Sequence, residues 1–209
     1  MRRISGSILC LVALLGVTGC GAYRDVLIGL EPDPLASPAR EVSLPLYLAP
    51  VRDDRVDREY IGRFVVGIAT QDKAYLRTER RLEDEVFEEV AGALDRVGYA
   101  VQPTNGETPP DGPVVVVSVE DFQFGFYQSF YVVTPTSGWI VMRVSVITPD
   151  GRRVVDETLS ARGMSACMTS ECGFRTATGR ALKRVLDDLV ELASSEAFEE
   201  AVRRRTDGV

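Results

Sequence analysis

The spacing of apolar positions divides the chain into two helical regions and several extended ones. Over residues 79–97, Leu82, Val86, Val90, Leu94 and Val97 recur every three or four positions with Phe87 beside them. Glu83, Asp84, Glu88 and Asp95 take the other side, so the pattern predicts an amphipathic helix. Thr78 is placed to cap it, Glu79, Asp84 and Glu85 set negative charge at the positive end of its dipole, and Gly98 is the expected left-handed stop. A second helix is predicted over 174–193, with Ala181, Leu182, Val185, Leu186, Leu189 and Leu192 as its stripe. Ser194-Ser195 then interrupts or recaps it, and "EAFEEAVRRR" adds a final turn or two, with Arg203 to Arg205 favourable at the C-terminal end.

The extended regions alternate instead. "SLPLYLAPV" puts Leu44, Leu46 and Leu48 on one side, and Pro45 and Pro50 argue for a sheet edge or for strand ends. A charged loop, "RDDRVDREYIGRF", leads to a second short apolar run, "FVVGIAT", and the chain restarts as a strand at Tyr99 to Gln102 after the first helix. Beyond the turn-rich "PTNGETPPDGP", the stretch "VVVVSVEDFQF" changes its alternation near Glu120-Asp121, which predicts a β-bulge. "GWIVMRVSVIT" sets Ile140, Met142, Val144 and Val146 against Arg143 and Ser145, and the turn at Pro149-Asp150-Gly151 joins it to "RRVVDETLSARG" as a hairpin. Strands, a helix, several strands and a helix imply an α+β domain: a mostly antiparallel sheet with two main helices packed on one face.

The N-terminus follows a different logic. Arg2 and Arg3 precede a short apolar stretch, Ile8 to Val17, too short for a comfortable membrane span. Val17-Thr18-Gly19-Cys20 resembles the bacterial lipobox, and the resemblance implies cleavage before Cys20 and acylation of Cys20 itself. Each buried CH₂ contributes about 0.8 kcal/mol, so two or three acyl chains hold a domain to a bilayer without spanning it. The expected organisation is a lipoprotein signal peptide at 1–19, a lipidated N-terminus and flexible linker at 20–41, and a single periplasmic domain at 42–205. Such a linker could extend to roughly 70 Å, unless Val26 to Leu30 packs onto the domain. By resemblance to the sorting rules of enteric bacteria, Gly21 stands where an inner-membrane retention signal would carry Asp. This favours the periplasmic face of the outer membrane, with the inner membrane as the alternative.

Composition narrows the chemistry. The 209 residues are 45% hydrophobic and 26% charged, as befits a globular domain, and the net charge of −7 disfavours nucleic acid as a partner. With Cys10 in the signal peptide and Cys20 acylated, Cys167 and Cys172 remain. In an oxidising periplasm the pair favours a structural disulfide over two free thiols or a redox couple, since C-x4-C is not the C-x-x-C of thiol oxidoreductases. The chain has no histidine, which removes Ser-His-Asp and Cys-His catalysis and histidine metal sites, and no further cysteine remains to complete a zinc site. Asp53, Asp54, Asp57, Glu59, Glu120 and Asp121 leave carboxylate chemistry open, with Asp53 or Asp121 as candidate hydrolase residues and Asp53, Asp54 and Asp57 as a weak Ca²⁺ candidate. No phosphate or dinucleotide loop appears, and no cofactor is expected.

The densest unusual feature is "DFQFGFYQSFYVVTPTSGW". Phe122, Phe124 and Phe126 share one face and read as core. Tyr127, Phe130, Tyr131 and Trp139 fall at a hairpin end and read as an exposed surface for a periplasmic or outer-membrane protein partner, with a lipid or glycan groove as the second reading.

Taken with the lipobox, "LAPVRDDRVDREYIGRF", "LEDEVFEEVAGALDRVGYAV", "GRRVVDETLSARG" and "TGRALKRVLDDLVELASSEAFEEAV" resemble the YajG-type outer-membrane lipoproteins. They are more distantly similar to the lipopolysaccharide-assembly lipoprotein and the TolB N-terminal domain. That resemblance implies a non-catalytic envelope lipoprotein and carries over no catalytic residues.

Overall fold

The computed structural model describes residues 25–32, 44–66, 72–104, 112–126 and 134–203. They form an α+β fold built on one nine-stranded sheet. The strands are β1 (Val26–Ile28), β2 (Leu44–Leu48), β3 (Arg52–Asp53), β4 (Gly62–Val66), β5 (Asp72–Thr78), β6 (Tyr99–Pro103), β7 (Val114–Phe126), β8 (Thr134–Ile147) and β9 (Arg153–Cys167). The helices are α1 (Leu82–Val97), α2 (Ser170–Ala193) and α3 (Glu196–Arg203).

The long β7 is the spine. Along one edge it meets in turn β2 at Val114 and Val115, β3 at Ser118 and Val119, and β4 at Phe124, all parallel. Along its other edge it pairs antiparallel with β8, which pairs antiparallel with β9. The sheet is therefore mixed. Most paired residues lie in the antiparallel β7–β8–β9 meander, yet the short N-terminal strands enter in parallel. The register of β7 on β8 shifts between Val119 and Asp121, the expected bulge. It switches parity, so that Val115, Val117 and Val119 before it and Phe122 and Phe124 after it all face the core.

β2 is an interior strand, against the edge expected from Pro45. The backbone N–H groups of Tyr47 and Ala49 donate to Pro113 and Val115 on the β7 side, at 3.2 and 2.9 Å. Pro45, two residues earlier, aims the same way but lies ahead of the start of β7, so its missing N–H breaks no ladder bond.

The three helices cover one face of the sheet. Leu82, Val86, Val90, Leu94 and Val97 of α1 are buried as the periodicity predicts, and Gly98 closes the helix at φ 103°. Thr78 is not the cap; it ends β5, and the N-cap is Arg81, whose side chain makes no capping bond. Buried Glu85 in the first turn instead ties neighbouring segments to the helix, accepting from the Arg80 N–H at 2.9 Å and, with its other oxygen, from the Leu30 N–H at 2.8 Å. Helix α2 begins four residues earlier than expected, with Thr169 accepting from the Cys172 N–H at 3.3 Å. Its close seat on β9 requires Gly163, where a Cβ would run into the Ala177 carbonyl. The Tyr99 hydroxyl donates to the Ala193 carbonyl at 2.8 Å, and its ring packs on Phe198, fastening α3.

One further expectation changes. The linker over 20–41 is interrupted: Val26–Ile28 adds a parallel strand beside β5, and Ile28 and Leu30 are buried in the core. Strand β5, for which the alternation gave no expectation, pairs antiparallel with β4. Cys167 and Cys172 are joined as a disulfide, closing the end of β9 onto the first turn of α2, with Cα atoms 5.9 Å apart.

Candidate functional site

The helices leave the other face of the β7–β8–β9 meander open. Residues there come from alternate positions: Asp121 and Gln123 on β7, Trp139, Val141 and Arg143 on β8, and Asp156, Ser160 and Arg162 on β9. Trp139 is paired across the strands with Gln123 on one side and Arg162 on the other. Its indole is 47% exposed, unusual for the one tryptophan of a chain whose helix-covered face offers a large apolar core. The indole N–H donates to the Asp121 carboxylate at 2.6 Å, and that contact depends on the bulge turning Asp121 onto the open face.

At the β4 end of this face, the loop after β3 folds back and completes a cleft of about 570 Å³. Its walls include Asp57, Tyr60, Arg63, Gln123, Trp139 and Arg162. Two glycines let the backbones meet there: a Cβ at Gly62 would strike the Phe124 carbonyl and one at Gly138 the Gln123 carbonyl. The loop is braced from behind. Arg55 forms a bidentate pair with Asp53 at 2.8 and 2.7 Å, both side chains buried, and donates to the Tyr60 and Arg58 carbonyls. Tyr60 packs on Tyr75 with ring centroids 4.7 Å apart, and a hydrogen bond from its hydroxyl to Asp57 is the main cause that raises its pKa above the usual phenol value. Arg77 ties the same loop to the N-terminus, contacting the Glu59 carbonyl at 3.0 Å and the Asp25 carboxylate at 3.0 Å.

The candidates from sequence thus separate. Asp53 is neither solvated nor available: its carboxylate is committed to Arg55, which removes it both as an acid–base residue and as a cation ligand. Asp54 faces Arg52 at 3.8 Å, and Asp57 lines the cleft, so the three carboxylates do not converge. Asp121 is committed to Trp139, and Glu120 lies 3.8 Å from Arg143. Among the described residues no group of three or more His, Cys, Asp or Glu side chains could hold a metal ion, and no helix is long and apolar enough to cross a membrane. Phe122 and Phe124 are core, as expected. Of the four candidate partner-binding residues, Trp139 is exposed on the open face; Tyr127, Phe130 and Tyr131, like Cys20, lie outside the described residues.

Tyr60, Arg63, Gln123 and Arg162 carried no signal strong enough to nominate them from sequence. The alternation of "DETLSARG" places Arg162 on the same side as Asp156 and Ser160, and this was the available hint.

No protein-family model matches the chain, and no curated protein matches it in sequence. Solved structures do resemble it. A Xanthomonas campestris protein of family DUF330 superposes with a TM-score of 0.53 at 17% identity, covering 82% of this chain and 93% of that one. A Helicobacter pylori homologue of neuraminyllactose-binding hemagglutinin superposes with a TM-score of 0.51 at 12% identity, covering 88% of this chain and 100% of that one. At these identities the shared property is the fold alone.

Proposed function

We propose that this chain is a bacterial envelope lipoprotein held on the periplasmic face of the outer membrane by acyl chains on Cys20. It serves there as a non-catalytic accessory subunit in envelope assembly, maintenance or transport. The observation that carries the reading is the lipobox at Cys20 read together with Asp25. The Asp25 carboxylate is bound by Arg77 and by the Tyr75 N–H. Asp25 stands five positions after Cys20, a covalent reach of no more than about 18 Å. The tether is thus short, in place of the long spacer expected from the prolines. The absence of histidine and the commitment of Asp53 and Asp121 to Arg55 and Trp139 support a role in binding over catalysis.

The open face supplies the contact surface. Trp139 and Met164 are both exposed there, 47% and 58%, on neighbouring strands. A photo-crosslinking residue placed at Met164 in intact cells is expected to capture an envelope protein. Radiolabelled fatty acid is expected to mark the chain and to leave Cys20→Ser unmarked and released from membranes. An unlabelled wild-type chain, or a Cys20→Ser form still membrane-bound, refutes the anchor; a silent crosslinker at several open-face positions refutes the adaptor role. A second reading, an accessory protein that holds a small polar ligand or glycan, is favoured by one observation, the cleft beside Trp139.

A further inference from the structure

Most arginines around the open face are neutralised within the molecule. Arg143 is held by Asp156 at 2.8 and 2.7 Å, Arg153 reaches the same carboxylate, Arg77 is held by Asp25 and Glu59, and Arg55 by Asp53. Arg63 and Arg162 differ. Both line the cleft, both are exposed, and among the described residues neither has a carboxylate partner. Against the one carboxylate in the lining, Asp57, two guanidinium groups without ion pairs leave the cleft net positive in a chain of net charge −7, which suits an anion. The guanidinium fork matches a carboxylate in particular.

The cleft is not built for charge alone. A bare phosphate or sulfate asks only for donors, yet Asp57 and Gln123 add acceptors here. Trp139 adds a large aromatic surface whose position is fixed by the 2.6 Å bond from its indole N–H to Asp121. A sugar ring has an apolar C–H face and a rim of hydroxyls that both donate and accept. Aromatic surface, mixed polar groups and a volume of about 570 Å³ suit such a ligand.

We propose that this cleft binds an acidic saccharide, its ring against Trp139 and its carboxylate on Arg63 and Arg162, with Asp57 and Gln123 accepting from hydroxyls. The proposal deepens the ligand-holding reading and is independent of acylation at Cys20, so the two fail separately.

Trp139 is the single tryptophan of the chain, so its emission and its one indole N–H resonance report on the cleft without labelling. The purified full chain is titrated with N-acetylmuramic acid and trigalacturonate, and with N-acetylglucosamine and galactotriose as neutral counterparts. At least one acidic sugar is expected to give a saturable change, with its neutral counterpart about tenfold or more weaker. Arg63→Gln and Arg162→Gln are each expected to abolish that preference while leaving the thermal unfolding midpoint in place. No response to any of these sugars up to about 10 mM overturns the proposal. So does an equal response to inorganic phosphate, which marks a plain anion site, or a response confined to phosphatidylglycerol vesicles, which marks a membrane contact.

Discussion

At the scale of single residues, the molecule's charges separate into those that hold the fold and those left open. The Asp53–Arg55 pair belongs to the first kind, with side chains 6% and 4% exposed. Removing one partner strands a buried charge, so Arg55→Ala is expected to cost about 3–5 kcal/mol in chemical denaturation, and a paired apolar replacement of both far less. The cleft loop should loosen with it, because Arg55 also holds the Tyr60 and Arg58 carbonyls. Asp156 makes a pH-dependent contribution. Arg143 first, then Ser145 and Arg153, hold its carboxyl well below the usual carboxylate range. A carboxyl depressed in the folded state stabilises fully above its unfolded value and loses that contribution as pH falls toward the folded one. The urea midpoint is therefore expected to fall below about pH 4, and Asp156→Asn to flatten that fall. None of these partners was legible in advance. The carboxylates at 53–59 read as a solvated loop because a sequence shows a charge without showing what is folded over it.

At the scale of elements, local signals succeeded where the information was local. The α1 stripe, the Gly98 stop, the Val119–Asp121 bulge and the Pro149–Gly151 turn all follow from spacing and turn chemistry, and all are present. β1 escaped because its partner lies far along the chain, and β5 because of its composition. "DKAYLRT" carries too much charge to stand out, and only pairing with β4 buries Ala74 and Leu76. The parallel entry of β2, β3 and β4 onto β7 is likewise a long-range choice. The candidate site shared that fate, since Tyr60 with Arg63, Gln123, and Arg162 come from three separate stretches joined only across the sheet. Two substitutions test the joints between elements. Glu85→Ala is expected to cost about 3 kcal/mol, since it frees two N–H groups, and to lower hydrogen-exchange protection of the Leu30 amide while leaving the β8 ladder protected. Gly163→Ala is expected to cost at least about 2 kcal/mol by lifting α2 from β9, read from the thermal unfolding midpoint.

At the scale of the whole molecule, the helices claim one face and leave the other open, with the segment at Asp25 beside the cleft loop. Arg77 joins the two by reaching both Asp25 and Glu59. In the proposed lipoprotein, the short tether sets the domain's altitude. Once Cys20 is acylated, diffusion is confined to a thin layer above one membrane, and the search for a partner becomes two-dimensional. Proteins embedded in that same plane gain the advantage of high effective concentration, while those adrift in the periplasm gain none. Inserting about ten Gly/Ser residues between Cys20 and Asp25 is expected to keep the chain membrane-bound yet weaken crosslinks to co-planar neighbours. In the proposed lipoprotein, the five-position step from Cys20 to Asp25 thus acts as a selector, deciding which proteins come within range of Trp139.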